Sequence, residues 1–154
     1  MRIPVALALA LILVTVAPAA SATRVELERA VLTAVNAVRQ QHGVAPLTED
    51  PVLSDIARRH SCAMAEQGFF EHADPGGISM AQRLGEARKP YLAAGENLAR
   101  IDTSGDPVAP AVDGWMKSPG HRENILSPRF TATGVGVCKS GRVVYVTQMF
   151  LRPR

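Results

Sequence analysis

The chain has 154 residues, of which 47% are hydrophobic and 20% charged, and this length fits one folded domain with a single core. Its formal net charge of +3 comes from scattered basic residues rather than from a basic block, so the composition does not indicate a nucleic-acid-binding protein. The basic pairs Arg58-Arg59 and Arg88-Lys89 are predicted to be solvated surface, compatible only with weak attraction to an acidic cell surface.

Residues 1–22 are predicted to be a secretory signal peptide. Arg2 supplies a short basic region, residues 3–16 form an apolar run too short for a membrane span, and Ala20-Ser21-Ala22 is a small-residue cleavage pattern. We therefore expect a secreted protein that does not span the membrane, with its folded domain at residues 23–154.

Cys62 and Cys138 are the two cysteines of the chain. Because an exported protein meets oxidising conditions, we predict that they form a disulfide. The alternative is that Cys62 is a nucleophile that works with His60 or His121.

Two long helices are predicted in the first half of the domain. A capping box at Thr23 opens the first, which runs to about residue 41 with Arg39 on its solvated side. The second begins at Pro51, ends before Gly68 and carries His60 on its packed face. We predict that His60 is a hydrogen-bonded core histidine rather than a metal ligand.

The middle of the chain contains two candidate polar site residues. Residues 69–77 have turn composition and present His72 on a loop between two aromatic anchors and a tight turn, where it either binds a ligand or bonds the loop backbone. A short helix capped by Ser79 follows. Gly95-Glu96-Asn97 has the composition of a turn, in which Glu96 is either a loop-stabilising acceptor or a site carboxylate.

Residues 115–126 contain a third candidate. Trp115 is predicted to be buried, and Ser118 and Pro119 are predicted to be the N-cap and first residue of a short helix, with the Ser118 hydroxyl as the capping acceptor. His121 then lies in the first turn, where the helix dipole favours a neutral ring that can ligate a metal or accept a hydrogen bond. The alternative is that His121 is only a polar residue on a capped turn.

From Phe130 the hydrophobic period changes to two. Gly134, Gly136 and Cys138 fall on one face of the predicted strand, where the glycines would admit a close-packed helix. Residues 143–151 are almost continuously apolar, which is typical of a central strand covered on both faces. We therefore predict an α+β fold, a three-layer α-β-α sandwich with a small antiparallel sheet flanked by helices.

His72, Gly95-Glu96-Asn97-Leu98, the 115–126 segment and Thr133-Gly134-Val135-Gly136-Val137 occur together in this order. On these motifs the chain resembles the CAP superfamily, which comprises cysteine-rich secretory proteins, antigen 5 and plant pathogenesis-related proteins. Its bacterial, single-domain secreted branch is the most similar. The resemblance covers about residues 25–151. It implies an SCP-like α-β-α sandwich whose cleft carries two histidines and two glutamates, which hold a divalent cation in some members.

Matched to that pattern, His72, Glu96 and His121 are the candidate ligands for a divalent cation such as zinc. The family often has a second glutamate three residues after its tryptophan, and here Ser118 stands at that position. We retain Ser118 as a candidate cleft residue. Glu123 lies about 200° around the helix from His121 and is not a substitute.

The leading functional hypothesis is an extracellular binding module with no required cofactor. Its ligand is predicted to be a divalent cation, a small apolar molecule such as the lipids or sterols that the resemblance suggests, or an extracellular protein. One alternative is a metal-dependent secreted hydrolase of the peptidase type. Another is a cell-envelope interaction protein with a vestigial cleft. Catalytic residues are not assigned, and we expect a monomer.

Overall fold

A computed structural model describes residues 22–154, and apart from Ala22 the predicted signal peptide lies outside this span. Five helices are present in it: α1 (Arg24–Gln41), α2 (Pro51–Gln67), α3 (Met80–Glu86), α4 (Val108–Lys117) and α5 (Pro119–Leu126). The strands are β1 (Thr48–Glu49), β2 (Tyr91–Asp102), β3 (Ala132–Ser140) and β4 (Val143–Pro153). Within this span, no helix is long and apolar enough to cross a bilayer.

The strands form one sheet in the order β1-β3-β4-β2. Strand β4 pairs antiparallel with both β2 and β3, and it is buried along most of its length, which confirms the predicted central strand. The expectation of a purely antiparallel sheet is wrong in one respect, because β1 pairs parallel with β3. Strand β1 has only two residues, so the sequence shows no periodic pattern there. Backbone hydrogen bonds form the pairing, for example from Asp50 N to Thr133 O at 2.8 Å.

Helices cover both faces of the sheet, as predicted for an α-β-α sandwich. On one face, α1, α4 and α5 bury apolar side chains against β3 and β4 in a cluster that includes Val35, Trp115, Ile125, Val137 and Phe150. On the other face, α2 and α3 pack against β4 through Leu53, Ile56, Leu84, Met149 and Leu151. The predicted burial of Trp115 is confirmed, because its side chain lies in the first cluster and its indole Nε1 donates to Leu98 O at 2.8 Å.

Helix α2 touches the backbone of β3 at two glycines, as the sequence predicts. A Cβ atom at Gly134 would lie 2.1 Å from Ser54 N, and one at Gly136 would lie 2.0 Å from Arg58 N. The same face of β3 carries Cys138, whose disulfide bond to Cys62 of α2 confirms the predicted pairing. The helix therefore lies as close to this strand as backbone atoms allow.

Arg39 corrects the expectation of a solvated side chain. It is only 1% exposed, and its guanidinium donates to carbonyl oxygens of Ala45, Ile125, Ser127 and Phe130. The Ile125 carbonyl is in the last turn of α5 and the other three lie in the loops that follow α1 and α5, so one charged group satisfies acceptors from several segments. Nothing in the helical period of α1 distinguishes such a residue from a solvated arginine.

The expected turn at Gly95-Glu96-Asn97 is also wrong, since these residues lie inside β2. Glu96 pairs with Met149 and Asn97 with Gln148 of β4. Their side chains bond other parts of the protein rather than their own backbone, and this is why a strand carries turn-forming residues here.

Candidate functional site

Glu96 is held between two basic side chains. Its Oε1 accepts a hydrogen bond from His72 Nδ1 at 2.9 Å, and its Oε2 accepts one from Arg83 Nη2 at 2.6 Å. The Glu96 side chain is 2% exposed and that of Arg83 is 11% exposed, whereas His72 is 58% exposed. A buried carboxylate thus fixes the orientation of a histidine whose ring reaches the surface.

The loop that carries His72 is anchored on both sides of this contact. Arg83 Nη1 donates to the carbonyl oxygens of His72 at 3.0 Å and Ile78 at 3.2 Å. His60 is buried in α2, and its Nε2 donates to Glu71 O at 3.0 Å, which confirms the predicted core histidine. The loop is therefore tied to α2 and α3 next to His72.

Two asparagines tie α5 to β2 beside Glu96. Asn97 Nδ2 donates to His121 O at 3.0 Å, and Asn124 Nδ2 donates to Asn97 Oδ1 at 2.9 Å. A Cβ atom at Gly95 would lie 2.8 Å from Asn124 Oδ1, so a glycine there permits the close approach. Through these contacts the backbone of His121 lies against the residue that follows Glu96.

The pKa values of His72 and His121 are shifted in opposite directions. The hydrogen bond that His72 donates to Glu96 raises the pKa of His72 above its usual 6.5. Burial lowers the pKa of His121, and the positive charge of His72 lowers it further. The direction is the one expected, although burial and His72 are the causes rather than the helix dipole.

Ser118 begins α5 as the N-cap residue, but its side chain makes no capping hydrogen bond. That part of the prediction is wrong. Ser118 is also the C-cap of α4, where its backbone N–H donates to Trp115 O at 3.1 Å, so its backbone is constrained by two helices at once. Within the described chain, no hydrogen bond joins its hydroxyl to His72, Glu96 or His121.

A cavity of about 380 Å³ opens beside the His72–Glu96 pair. Its lining is mainly apolar and consists of Ala73, Ser79, Met80 and Ala81 together with His72 and Glu96. A larger cavity of about 680 Å³ lies between α2 and α3, and its lining includes His60 and Arg83 but none of the predicted cleft residues. Arg83 lines the larger cavity and donates a hydrogen bond to Glu96, which lines the smaller one.

The predicted metal ligands His72, Glu96 and His121 stay a prediction. Among residues 22–154, no three histidine, cysteine, aspartate or glutamate side chains are grouped so as to hold a metal ion. Both oxygens of Glu96 are already in charged hydrogen bonds. The arrangement instead resembles a carboxylate that orients a histidine from behind and leaves its Nε2 available, as occurs around many metal-bound imidazoles.

Arg83, Asn97 and Asn124 complete the site, and sequence reasoning assigned a site role to none of them. Asn97 lies in the Gly95-Glu96-Asn97-Leu98 motif and Asn124 in the 115–126 segment, both of which carry the family resemblance. The motifs do not reveal which groups these asparagines bond. Arg83 lies four residues after the Ser79 cap on a short helix, and only the packing of α3 against β2 brings it to Glu96.

The sequence model of the cysteine-rich secretory protein family (CAP) matches residues 32–150. The chain therefore belongs to this family, as the resemblance predicted. An uncharacterized protein, YkwD, of Bacillus subtilis (strain 168) is 39% identical over 124 residues, which cover 80% of this chain and 46% of that protein. The chain thus spans less than half of this relative.

Two solved structures share the fold. An extracellular protein containing an SCP domain from Bacillus anthracis is 31% identical, with a TM-score of 0.72, and the match covers 82% of this chain and 40% of that one. An outer surface protein from Borrelia burgdorferi is 18% identical with a TM-score of 0.75, covers 84% of this chain and 94% of that one, and shows the fold alone.

Proposed function

We propose that this CAP domain is an exported binding module that holds a small amphiphilic ligand beside His72 and Glu96, without chemistry of its own. The observation that carries the proposal is the cavity of about 380 Å³, whose mainly apolar lining includes the hydrogen-bonded pair His72 and Glu96. Small-ligand sites commonly combine an apolar lining with a few fixed polar groups. Export is supported by the predicted signal peptide and by the extracellular relative from Bacillus anthracis.

The polar pair in the cavity lining favours an acidic head group. Because His72 Nδ1 donates to Glu96, the nitrogen that remains for a ligand is Nε2. Glu96 raises the pKa of His72, so the ring carries a positive charge up to a higher pH than an ordinary histidine. A carboxylate head would pair with protonated His72, while its alkyl chain would lie against Met80 and the two alanines.

Calorimetric titration tests this proposal with three C12 amphiphiles: dodecanoate, dodecanol and dodecyltrimethylammonium. We expect dodecanoate to bind most tightly to residues 22–154, and to bind more tightly at pH 6 than at pH 8. His72→Ala should weaken binding at pH 6 about tenfold and remove the dependence on pH. His42→Ala, at an exposed histidine after α1, is the matched control and should leave binding unchanged. Equal heats for the wild type and His72→Ala would contradict the proposal.

A divalent cation is the second candidate ligand. It is favoured by the orientation of His72, whose Nε2 is available while Glu96 holds Nδ1, and by the lowered pKa of His121. In this version His72 and His121 would be the ligands and Glu96 the orienting carboxylate. Zinc titration should then give site-dependent heats that disappear in both His72→Ala and His121→Ala, and unchanged heats would exclude the assignment.

The hydrolase hypothesis stays a prediction from sequence. Both Glu96 oxygens accept a hydrogen bond, from His72 and from Arg83, so a water molecule would have to share one of them to use Glu96 as a base. Turnover of a peptide and ester panel that is lost in Glu96→Gln would favour this hypothesis over a binding module.

A further inference from the structure

Basic and apolar side chains are exposed together at the end of the sheet where β2 begins and β4 ends. Tyr91 pairs with Pro153 and Ala93 with Arg152, which brings these two chain segments side by side. A cavity of about 420 Å³ here is lined by Arg88, Lys89, Tyr91 and Arg154, among others. The basic patch is the surface formed by Arg88, Lys89, Tyr91, Leu92, Arg152 and Arg154.

The positive charge of the basic patch is only partly neutralised. Lys89 forms an ion pair with Asp50. Among the described residues, Arg88, Arg152 and Arg154 have no carboxylate within ion-pair distance. Glu86 of the neighbouring helix α3 lines the cavity on the side of α2 instead. Three uncompensated arginines are therefore brought together from two segments that are far apart in the sequence.

A backbone irregularity coincides with the exposed apolar residues of this patch. The register between β2 and β4 shifts between Tyr91 and Ala93, which leaves Leu92 without a partner residue across the ladder. Such a β-bulge redirects a side chain. Leu92 is 57% exposed and Tyr91 is 37% exposed, so the strand presents a large aliphatic and an aromatic group to solvent among the arginines.

We propose that the basic patch docks this domain on the anionic surface of a lipid bilayer. The arginines would contact phosphate head groups, and Leu92 and Tyr91 would enter the interfacial layer. A bilayer fits better than a soluble polyanion because exposed apolar side chains gain only from a partner that removes them from water. Basic residues and interfacial aromatic groups are the combination that anionic membrane surfaces attract.

The patch is next to the ligand cavity but separate from it. Ala81 lines both the cavity beside His72 and Glu96 and the cavity of the basic patch. Docking by the patch would therefore bring the mouth of the cleft near the bilayer surface. The docking proposal does not depend on any ligand in the cleft.

Vesicle co-sedimentation tests docking with residues 22–154, the span whose helices, sheet and cores are described, so that the apolar run at 3–16 cannot itself bind lipid. The vesicles contain either phosphatidylcholine alone or phosphatidylcholine with 30% phosphatidylglycerol as the probe. We expect binding to the anionic vesicles only. The triple variant Arg88→Gln, Arg152→Gln and Arg154→Gln should bind about 100-fold more weakly, since each basic residue contributes about fivefold.

Two further variants separate docking from simple charge attraction. The triple variant Arg24→Gln, Arg29→Gln and Arg129→Gln removes the same charge from exposed positions outside the patch and should retain most of the affinity. Leu92→Ser should bind about tenfold more weakly with an unchanged melting temperature. Equal binding to neutral vesicles, or an equal loss in the control triple variant, would overturn the proposal. Wild-type binding by Leu92→Ser would overturn the bilayer as the partner.

Discussion

Glu96 lies between a buried guanidinium and an exposed imidazole, and this position determines what the cleft offers to a ligand. Arg83 compensates the negative charge of the carboxylate from inside the protein. His72 donates a hydrogen bond to the other Glu96 oxygen from the surface side. Folding raises the pKa of His72, so the contact favours the folded state fully below pH 6.5, the ordinary value. That contribution is lost as pH rises through the higher folded-state value.

The first prediction concerns this carboxylate. Glu96→Gln should lower the free energy of unfolding at pH 7 by about 3 kcal/mol, because Arg83 is left as a buried charge without its partner. Urea unfolding followed by circular dichroism measures the change. Glu71→Gln is the control at an exposed side chain of the same loop and should stay within about 0.5 kcal/mol of the wild type. A stability of Glu96→Gln equal to that of the control would show that the ion pair contributes nothing.

Single polar residues were the hardest to predict from the sequence. The candidates His72, Glu96 and His121 were identified by their motifs, but Arg39 and Arg83 were not, because an arginine on a helix has the same pattern whether it is solvated or buried. What distinguishes these two is the set of oxygens that the folded chain brings to them, and those oxygens come from distant segments.

At the scale of elements, the contact between α2 and β3 sets how the two halves of the chain meet. Gly134 and Gly136 let the helix backbone touch the strand, and the disulfide bond lies along the same line. This contact was predictable, because alternating glycines on one face of a strand leave space for a closely packed helix. Strand β2 was not predictable, since its glycine, glutamate and asparagine have partners on α3 and α5 that the local pattern does not show.

Adding a single methyl group to β3 by substitution tests the close contact between α2 and β3. Gly136→Ala should destabilise the protein by about 3 kcal/mol, because the new Cβ would lie 2.0 Å from Arg58 N and the helix must move away. Gly114→Ala is the matched control on helix α4, where no atom lies within 4 Å of the added Cβ. It should be neutral or stabilising by up to about 1 kcal/mol. Thermal unfolding of both variants is the measurement, and equal melting temperatures would contradict the close packing.

At the scale of the whole molecule, the sandwich is closed by a covalent link between α2 and β3. Cys62 and Cys138 are separated by 76 positions, so their bond restricts most of the domain in the unfolded state. The fold class and the family follow from the sequence because each depends on patterns that extend over many residues, and the disulfide follows because the two cysteines of an exported chain allow one pairing. The parallel strand β1 does not, because its two residues carry no period of their own.

Removal of the disulfide tests that contribution. The double variant Cys62→Ala and Cys138→Ala should keep the native circular dichroism spectrum and lose about 4 kcal/mol of unfolding free energy. Guanidinium unfolding of the oxidised wild type and the double variant measures the difference. An unchanged midpoint would mean that the bond restricts little of the unfolded chain.

The central claim is that Glu96 orients His72 beside the cavity and raises its pKa, and the histidine titration curves test it most directly. Nuclear magnetic resonance of the imidazole protons should give a pKa above 6.5 for His72 and below 6.5 for His121. In Glu96→Gln the pKa of His72 should fall. Ordinary pKa values for both rings in the wild type, unaffected by Glu96→Gln, would contradict the account.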